Sequence, residues 1–248
     1  MRPANELVRD ALRPLYRGTE RAVRRWFPSQ YDNLEWNRKM AEGYARRAQP
    51  GGAALGEEWS RPEDLDEILE EFLFPFVDER SAVAEIGVGG GRVAARVLPR
   101  VAKLYAFDIS PRMLRAARSA LAGRGEVEYV LLREPRLPEE LTGALDLVYS
   151  FATFLHLDLH MMHRYIAETA RVLRPGGHAF LQTATITTPD GWARFAAQEQ
   201  FSVSGFYFVS PELVRTLAER TGLVLVKESE PSADNRYLNR DYFAVFRR

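Results

Sequence analysis

The sequence predicts an α/β fold: a doubly wound, mostly parallel seven-stranded sheet that ends in an antiparallel β-hairpin, with an N-terminal helical cap. From Ser81 onward, short apolar segments alternate with helical segments, which is typical of a parallel sheet covered on both faces. The last two apolar segments, 223–230 and 241–248, have only the stretch PSADNRYLNR between them. We therefore expect these two segments to pair antiparallel.

The composition predicts a soluble globular protein. The 248 residues are 46% hydrophobic and carry zero formal net charge, so no overall field attracts the chain to nucleic acid or to a membrane. Cysteine is absent, which removes disulfides, thiolate metal sites and cysteine nucleophiles. Residues 1–18 are charged and lack the apolar centre of a secretory signal, and no segment is long and apolar enough to span a bilayer. A cytoplasmic location is predicted.

Residues 1–60 differ from residues 61–248, which contain the predicted sheet domain. The first 60 residues are rich in arginine and large aromatic residues, and two stretches have helical spacing, so we expect a helical cap region. Arginine beside aromatic residues is compatible with nucleic-acid binding. Acidic residues are interspersed among these arginines, which favours a solvated helix face and predicts no nucleic-acid partner.

The elements of the sheet domain follow one another with clear boundaries. A helix begins near Ser60 or Asp64, with Pro62 in its first turn. The later helix 110–123 has Ser110 as its predicted N-cap and Pro111 at its first position. Further helices are predicted at 91–101, 159–177 and 210–222, and further strands at 82–88, 103–110, 126–132, 144–154 and 178–186.

A glycine-rich loop, in the stretch EIGVGGGR, follows the first predicted strand of this domain. Ligands of doubly wound sheets bind beyond the carboxyl ends of the strands, where this loop lies. A dinucleotide loop with G-x-G-x-x-G spacing would place the bulky Arg92 at its third small position. The spacing acid-x-G-x-G-x-G fits instead, with Glu85, Gly87, Gly89 and Gly91. It predicts a wide backbone turn for a ligand that has a bulky group other than pyrophosphate.

Asp108 ends the second predicted strand, 21 positions after Gly87. A carboxylate at this place can accept hydrogen bonds from both hydroxyls of a ribose. Taken singly, the glycines are compatible with an ordinary tight turn and Asp108 with a helix N-cap. The succession of strand, loop, helix, strand and acid favours a nucleoside site.

Four stretches resemble the successive motifs of the class I S-adenosylmethionine-dependent methyltransferases: VAEIGVGGGR, LYAFDISPRML, LDLVYSFATFLHL and ARVLRPGG. The resemblance runs from about Ser81 to Arg248 and includes the closing reversed hairpin. It implies S-adenosylmethionine as the cofactor and an enzyme that methylates oxygen or nitrogen of a small organic molecule. The alternatives are a methyltransferase acting on RNA or protein and a non-catalytic module that binds S-adenosylmethionine.

The resemblance also implies which residues bind the cofactor. The Glu85–Gly91 loop would lie against its methionine part, Asp108 would hold the ribose, and Ile109 and Met113 would flank the adenine. The family often has an acidic residue after the third strand, facing the adenine amino group. In the corresponding stretch LLREPRLP, Glu134 is the predicted residue, with backbone groups as the alternative.

The fourth predicted strand ends where the transferred methyl group would lie. It lacks the Asn/Asp-Pro-Pro-Tyr/Phe pattern of methylases that act on amino groups of DNA bases or of glutamine. At its tip, Tyr149 is predicted to be catalytic and Ser150 to bind the cofactor. His156 follows, where many similar small-molecule methyltransferases carry a histidine, and its pKa range suits a general base. The alternative is that His156 only bonds the loop and caps the next helix.

Three histidines and a long aromatic connection are the remaining candidate features. His156, His160 and His163 have a spacing that could bind a metal, but methionines interleave and no second ligand cluster is evident, so no metal is predicted. The connection at about 184–210 is rich in aromatic residues. It is predicted to be a lid over an apolar or aromatic small-molecule substrate, although some of its rings would instead attach it to the sheet. A homodimer is compatible with the sequence, and no membrane partner is predicted.

Overall fold

A computed structural model describes residues 38–39, 41–43, 45–46, 55–198 and 205–248. In the two long segments, one sheet contains β1 Ala82–Ile86, β2 Lys103–Asp108, β3 Val127–Leu131, β4 Leu145–Ser150, β5 Leu173–Thr185, β6 Phe208–Val209, β7 Val224–Glu228 and β8 Asp241–Arg247. The α-helices of these segments are α1 Pro62–Phe72, α2 Ala94–Val97, α3 Pro111–Ala120, α4 Leu159–Val172, α5 Pro189–Ala197 and α6 Pro211–Arg220.

The strand order is β3-β2-β1-β4-β5-β8-β7, with β6 paired to β5. The pairs from β3 to β5 are parallel, whereas β8 is antiparallel to both β5 and β7. The predicted doubly wound, mostly parallel sheet with a closing antiparallel pair is thus confirmed. The eighth strand, β6, was not predicted, because a pair of residues at the end of a long connection is too short to give a periodic pattern.

The strand order places a switch point at the centre of the sheet. The chain moves outward from β1 to β3 and then returns to β4, on the other side of β1. The loops after β1 and β4 therefore leave the sheet in different directions, and a crevice opens between them at the carboxyl ends of the strands.

Two hydrophobic layers cover the sheet, one on each face. Helices α4 and α6 pack against the face that presents Ile86, Val148 and Leu181. Helices α1, α2 and α3 pack against the opposite face, which presents Val83 and Phe180. All five side chains are almost completely buried, so the central strands are held rigidly by apolar packing on both sides.

Local capping fixes where the helices begin. The Ser110 side chain accepts a hydrogen bond from the Met113 backbone N–H, as the N-cap prediction requires, and such a cap stabilises a helix by about 1 kcal/mol. Helix α4 ends at Val172, and β5 starts at Leu173. The predicted helix 159–177 was therefore too long, since its last segment, LRPGG, belongs to the following strand.

The N-terminal cap and the lid are only partly within the described residues. Residues 1–37, 40, 44 and 47–54 lie outside them, so a helical cap over 1–60 stays a prediction. In the described part, Glu42 bonds the start of α3: its Oε1 accepts from the Ser110 hydroxyl at 2.8 Å, and its Oε2 pairs with Arg112 at 2.7 Å. The connection at 184–210 contains α5 and β6, and its residues 199–204 lie outside the description.

Helix length and hydrophobicity also bear on the membrane prediction. Within the described ranges, no helix is long and apolar enough to cross a bilayer.

Candidate cofactor and substrate site

A cavity that is partly open to solvent lies at the carboxyl ends of β1, β2 and β4. Leu55 and Trp59 close it on the side of the N-terminal region. Most of the lining is apolar, and the titratable side chains in it are Glu85, Arg92, Asp108, His156 and Tyr165.

The glycine loop brings its backbone to the cavity at two positions. Gly87 has φ +81°, and a Cβ there would lie 2.0 Å from Thr153 Oγ1, so a side chain is excluded by both strain and contact. Gly89 has φ +54°, and a Cβ there would meet nothing within 4 Å, so the space beside it is free for a ligand. Gly91 does not line the cavity; it lets the loop pack against Ala117 of α3.

Asp108 joins the glycine loop to the end of β2. Its Oδ2 accepts a hydrogen bond from the Gly89 N–H at 2.9 Å, and its Oδ1 accepts one from the Ser110 N–H at 2.8 Å. Burial raises the pKa of the Asp108 carboxyl to about 6, against the opposing effect of these backbone hydrogen bonds. The group is therefore ionised at neutral pH, and each oxygen keeps lone-pair capacity for a further donor.

An apolar section of the lining lies beside Asp108. Ile109 and Met113, which were predicted to flank an adenine, both line the cavity, and Leu132 lines it with them. Glu134 is exposed and does not line it. The Leu132 N–H donates a hydrogen bond to the Asp108 carbonyl, which continues the pairing of β2 with β3 and holds the buried Leu132 near Asp108, whereas Glu134 lies further along the chain and is exposed. The structure therefore does not support an adenine contact by Glu134.

Glu85 and Tyr149 form a buried pair at the cavity floor. The Tyr149 hydroxyl donates to Glu85 Oε2 at 3.0 Å, and both side chains are almost completely buried. Burial raises the pKa of Glu85 to about 8, and it raises the pKa of Tyr149 well above its usual value. Tyr149 packs in the core beneath α1, α2 and α3 and does not line the cavity. Its position is that of a support for Glu85 and lies away from the cavity lining, whereas the sequence predicted a catalytic role.

Ser150 also lies away from the cavity. Its side chain is completely buried, and its hydroxyl donates to the Ile86 carbonyl oxygen at 2.9 Å. This bond ties the ends of β4 and β1 together. The structure therefore does not support the predicted cofactor contact by the Ser150 side chain.

The loop after β4 is held in a strained conformation. Ala152 has φ +57°, in the left-handed region that costs a non-glycine residue about 1–3 kcal/mol. Its N–H donates to Gln182 Oε1 at 2.5 Å, and Gln182 Nε2 donates to Asp241 Oδ2 at 2.5 Å. Asp241 is in turn paired with the buried Arg240. Bonds from β5 and β8 thus fix the backbone that leads to His156.

His156 lines the cavity at the end of this loop. Its Nδ1 lies 3.1 Å from the Gly205 carbonyl oxygen, a contact that requires a proton on Nδ1 and leaves the lone pair on Nε2. Burial lowers the pKa of His156 to about 4, helped by the positive charge of Arg240, so the ring is neutral at neutral pH. The Phe206 ring stands edge-on to it, with ring centroids 5.4 Å apart.

Aromatic residues of the 184–210 connection continue outward from His156. Phe206 contacts Phe208, and Phe208 contacts Phe195, with ring centroids 6.0 Å and 5.7 Å apart. The chain also contacts the β4 loop, since the Tyr207 N–H donates to the Leu155 carbonyl at 2.8 Å. At the outer end, Trp192 is 56% exposed and Phe195 45% exposed. The connection therefore lies against the histidine side of the cavity.

The three histidines do not gather around one point. His160 and His163 are both exposed on α4, whereas His156 is held by Gly205. Among the described residues, no group of histidine and carboxylate side chains is arranged to hold a metal ion.

Comparison with known proteins bears on the family of the chain. Residues 84–181, which run from β1 into β5, match a family model described as a methyltransferase domain. This match covers 98 of the 248 residues, and solved methyltransferases, one of them described as dependent on S-adenosylmethionine, share the fold of the chain.

Similar proteins include one curated relative and two solved structures. A ubiquinone biosynthesis O-methyltransferase of Xanthomonas oryzae pv. oryzae is 30% identical over 106 residues, 42% of this chain and 44% of that protein. The chain thus spans less than half the length of this relative. The N-methyltransferase NodS of Bradyrhizobium japonicum, with S-adenosylhomocysteine, has TM-score 0.59 at 17% identity, over 87% and 98% of the two chains. The [4+2]-cyclase SpnF has TM-score 0.62 at 15% identity, over 89% and 94%.

Three features of the cavity fit S-adenosylmethionine. Asp108 is an ionised acceptor with spare capacity for ribose hydroxyls. Ile109, Met113 and Leu132 give an apolar place for a purine, and the free space beside Gly89 lets a ligand approach the backbone closely. A phosphate-binding loop is not needed for this ligand, because S-adenosylmethionine has no phosphate group.

Several residues of this cavity were not identified from the sequence. Leu132 and Met161 look like ordinary core residues, because an apolar side chain that faces a ligand follows the same periodicity as one that faces the core. Gln182 lies inside a strand whose pattern gives no sign of its bond to Ala152. Arg92 did carry a signal: it is a charged residue within the otherwise small and apolar stretch GGGRVA.

Proposed function

We propose that this chain transfers the methyl group of S-adenosylmethionine to an oxygen or nitrogen atom of a small organic molecule with apolar or aromatic character. The observation that carries the proposal is the position of His156: a neutral imidazole with its Nδ1 proton fixed stands in the wall of the same cavity as Asp108 and the glycine loop. The name of the Xanthomonas relative, an O-methyltransferase, supports oxygen as the acceptor atom. A cytoplasmic location and a homodimer stay predictions from the sequence.

Each part of the cofactor has a group to hold it in this proposal. Asp108 accepts hydrogen bonds from the ribose hydroxyls, and Ile109, Met113 and Leu132 surround the adenine. The backbone at Gly87 and Gly89 lies against the rest of the molecule, because side chains are absent there. When bound, S-adenosylmethionine supplies a methyl group that its sulfonium charge already activates.

The protein contributes mainly by positioning. Holding two reactants in line replaces a bimolecular encounter and can lower the barrier by about 7–11 kcal/mol. The buried bonds through Gln182 and Asp241 fix the loop that carries His156. His156 Nε2 accepts the proton that the hydroxyl or amine loses on methylation, and the contact with Gly205 stabilises the imidazolium that forms.

The aromatic connection supports an apolar or aromatic acceptor. The rings of Phe206 and Phe208 lie next to His156, so an acceptor that reaches Nε2 would contact them. Exclusion of water by these rings would strengthen the hydrogen bond between acceptor and histidine. An RNA acceptor has less support, since Arg92 is the only lysine or arginine in the described cavity lining.

The proposal is tested with S-adenosylmethionine labelled in its methyl group. The purified protein is incubated with panels of phenols, catechols and amines and with metabolite extracts, and with bulk RNA and protein as separate acceptors. We expect label in a product of low molecular mass, and its formation should be lost in His156→Ala but kept in His160→Ala.

Two other results would contradict the proposal. Label in RNA or protein would show that the acceptor is a macromolecule. If the acceptor is RNA, its binding should weaken steeply at higher salt. Binding of S-adenosylhomocysteine without label in any acceptor would favour a non-catalytic module. The fold itself does not decide whether the protein transfers methyl groups, because SpnF is a cyclase with this fold.

A further inference from the structure

Arg92 is a buried cation in the cavity wall. Only 5% of its surface is exposed. Its Nη1 donates a hydrogen bond, 2.9 Å long, to the Tyr237 hydroxyl oxygen, and the ion pairs formed among the described residues do not include it. A guanidinium has five N–H donors, so most of its capacity remains for something else.

Aromatic rings surround the Arg92 guanidinium. Its central carbon lies 5.4 Å from the centroid of the Trp59 ring, 5.5 Å from that of Phe151 and 6.0 Å from that of Tyr237. The ring faces attract a cation, but they accept no strong hydrogen bond and do not cancel its charge. Burial raises the pKa of Glu85 to about 8 even though the Arg92 charge lowers it, so Glu85 is largely uncharged at neutral pH and does not neutralise the guanidinium. A buried charge without an ionised partner is unfavourable, and an anion that enters the cavity would remove that cost.

The charges of the cavity restrict where such an anion can bind. Glu85 and Asp108 are the acidic side chains of the described lining, and His156 is neutral. Arg92 is the only lysine or arginine in this lining. An anionic group that enters the cavity therefore has one favourable position, next to Arg92.

We infer that Arg92 binds a carboxylate, or a comparable oxyanion, of a ligand in this cavity. A planar guanidinium binds a carboxylate through two parallel N–H···O bonds, which lysine cannot reproduce. Two sources carry such a group: the amino-acid end of the cofactor, and an acidic acceptor. The first source rests on the proposed function, and the second needs only the cavity.

The experiment uses variants at Arg92 and a matched arginine outside the cavity. Arg92→Met removes the charge at similar length, and Arg92→Lys keeps the charge but not the planar fork. Arg100→Met is the control, since Arg100 also stacks on a ring, that of Phe74 at 3.8 Å, and bonds one residue, Glu70. Thermal melting establishes that each variant is folded.

Calorimetric titrations with three probes separate the sources of the anion. S-adenosylhomocysteine carries the amino-acid carboxylate, and 5′-methylthioadenosine keeps the nucleoside but lacks it. Benzoate, added to protein saturated with S-adenosylhomocysteine, stands for an acidic acceptor, and benzyl alcohol is its neutral counterpart.

A cofactor carboxylate at Arg92 predicts that Arg92→Met weakens S-adenosylhomocysteine binding roughly 10- to 100-fold and leaves 5′-methylthioadenosine binding unchanged. Arg92→Lys should fall between wild type and Arg92→Met. An acceptor anion predicts unchanged S-adenosylhomocysteine binding in all variants, and loss of benzoate but not benzyl alcohol binding in Arg92→Met. Arg100→Met should match wild type for every probe.

Unchanged binding of all probes in folded Arg92→Met would overturn the inference and leave Arg92 as a structural residue among the rings. Should Arg92→Met not fold, Arg92→Lys decides, and wild-type affinity for every probe in that variant would also overturn it. Failure of wild-type protein to bind either nucleoside would reject the proposed function instead, while the benzoate titration would still test Arg92.

Discussion

Replacement of Asp108 by asparagine tests the cofactor site where it is best defined. The carboxylate holds the N–H groups of Gly89 and Ser110, one on each oxygen, and has capacity left for two ribose hydroxyls. Asparagine keeps one acceptor oxygen and presents an NH2 group in place of the other, so one hydroxyl loses its acceptor. A hydrogen bond to a charged group contributes about 1.5–3 kcal/mol, which corresponds to a loss of affinity of roughly 10- to 150-fold.

The assay is a calorimetric titration with S-adenosylhomocysteine from pH 5 to pH 8. Because burial raises the pKa of Asp108 to about 6, the carboxylate becomes protonated as the pH falls through that value. Hydroxyl donors favour the ionised form, so wild-type affinity should decrease below about pH 6. Asp108→Asn should bind weakly, without this decrease.

The control is Asp66→Asn, because Asp66 pairs with Arg96 on the surface and does not line the cavity. Its affinity should follow that of wild type at every pH. Wild-type affinity in Asp108→Asn, with an unchanged melting temperature, would refute the ribose assignment and the reasoning from the spare lone pairs.

Three further substitutions test the loop, the buried acid and the proposed base. Gly87→Ala should lower the free energy of unfolding by about 2 kcal/mol or more, since its Cβ would meet Thr153 at positive φ; an unchanged denaturant midpoint would contradict this. For Glu85, burial raises the folded-state pKa to about 8, so wild-type stability should fall as pH rises from 5 to 9, and Glu85→Gln should remove that part of the decline. Parallel melting curves for the two proteins across this range would show that Glu85 is not protonated in the fold. His156→Ala should slow methyl transfer roughly 10²- to 10⁴-fold, while its affinity for S-adenosylhomocysteine should stay that of wild type. Because burial lowers the pKa of His156 to about 4, protonation of this residue should cause no change in the wild-type rate between pH 6 and 9. A full rate in His156→Ala would remove the base role, and His160→Ala is the matched control.

The order of elements could be predicted because apolar strands and capped helices leave strong local patterns. Ser110 and Pro111 identify the start of α3, and the structure agrees. The end of α4 was missed because Arg174 and the two glycines after it can follow a helix or open a strand with equal ease. That choice depends on the pairing of Leu173 with Leu145 of β4, which is a long-range contact.

The backbone part of the site was predictable and the side-chain part only partly. The structure brings Gly87, Gly89 and Asp108 together at the cavity, and they could be selected from the sequence because spacing encodes chain geometry. Tyr149 and Ser150 could not be placed from spacing, because the tip of a strand presents alternate residues to opposite faces and both of these are buried. Residues such as Gln182 act through contacts between distant segments, which a single sequence does not record.

The central claim is that the bend after β1 and the carboxylate at the end of β2 form an adenosyl site. A crystal structure of the protein grown with S-adenosylhomocysteine and NAD⁺ in equal excess tests it most directly. The account predicts S-adenosylhomocysteine in the cavity, with its ribose hydroxyls within hydrogen-bonding distance of Asp108 and its chain beside Gly89. A nicotinamide coenzyme in that place, or a nucleoside bound away from Asp108, would contradict it.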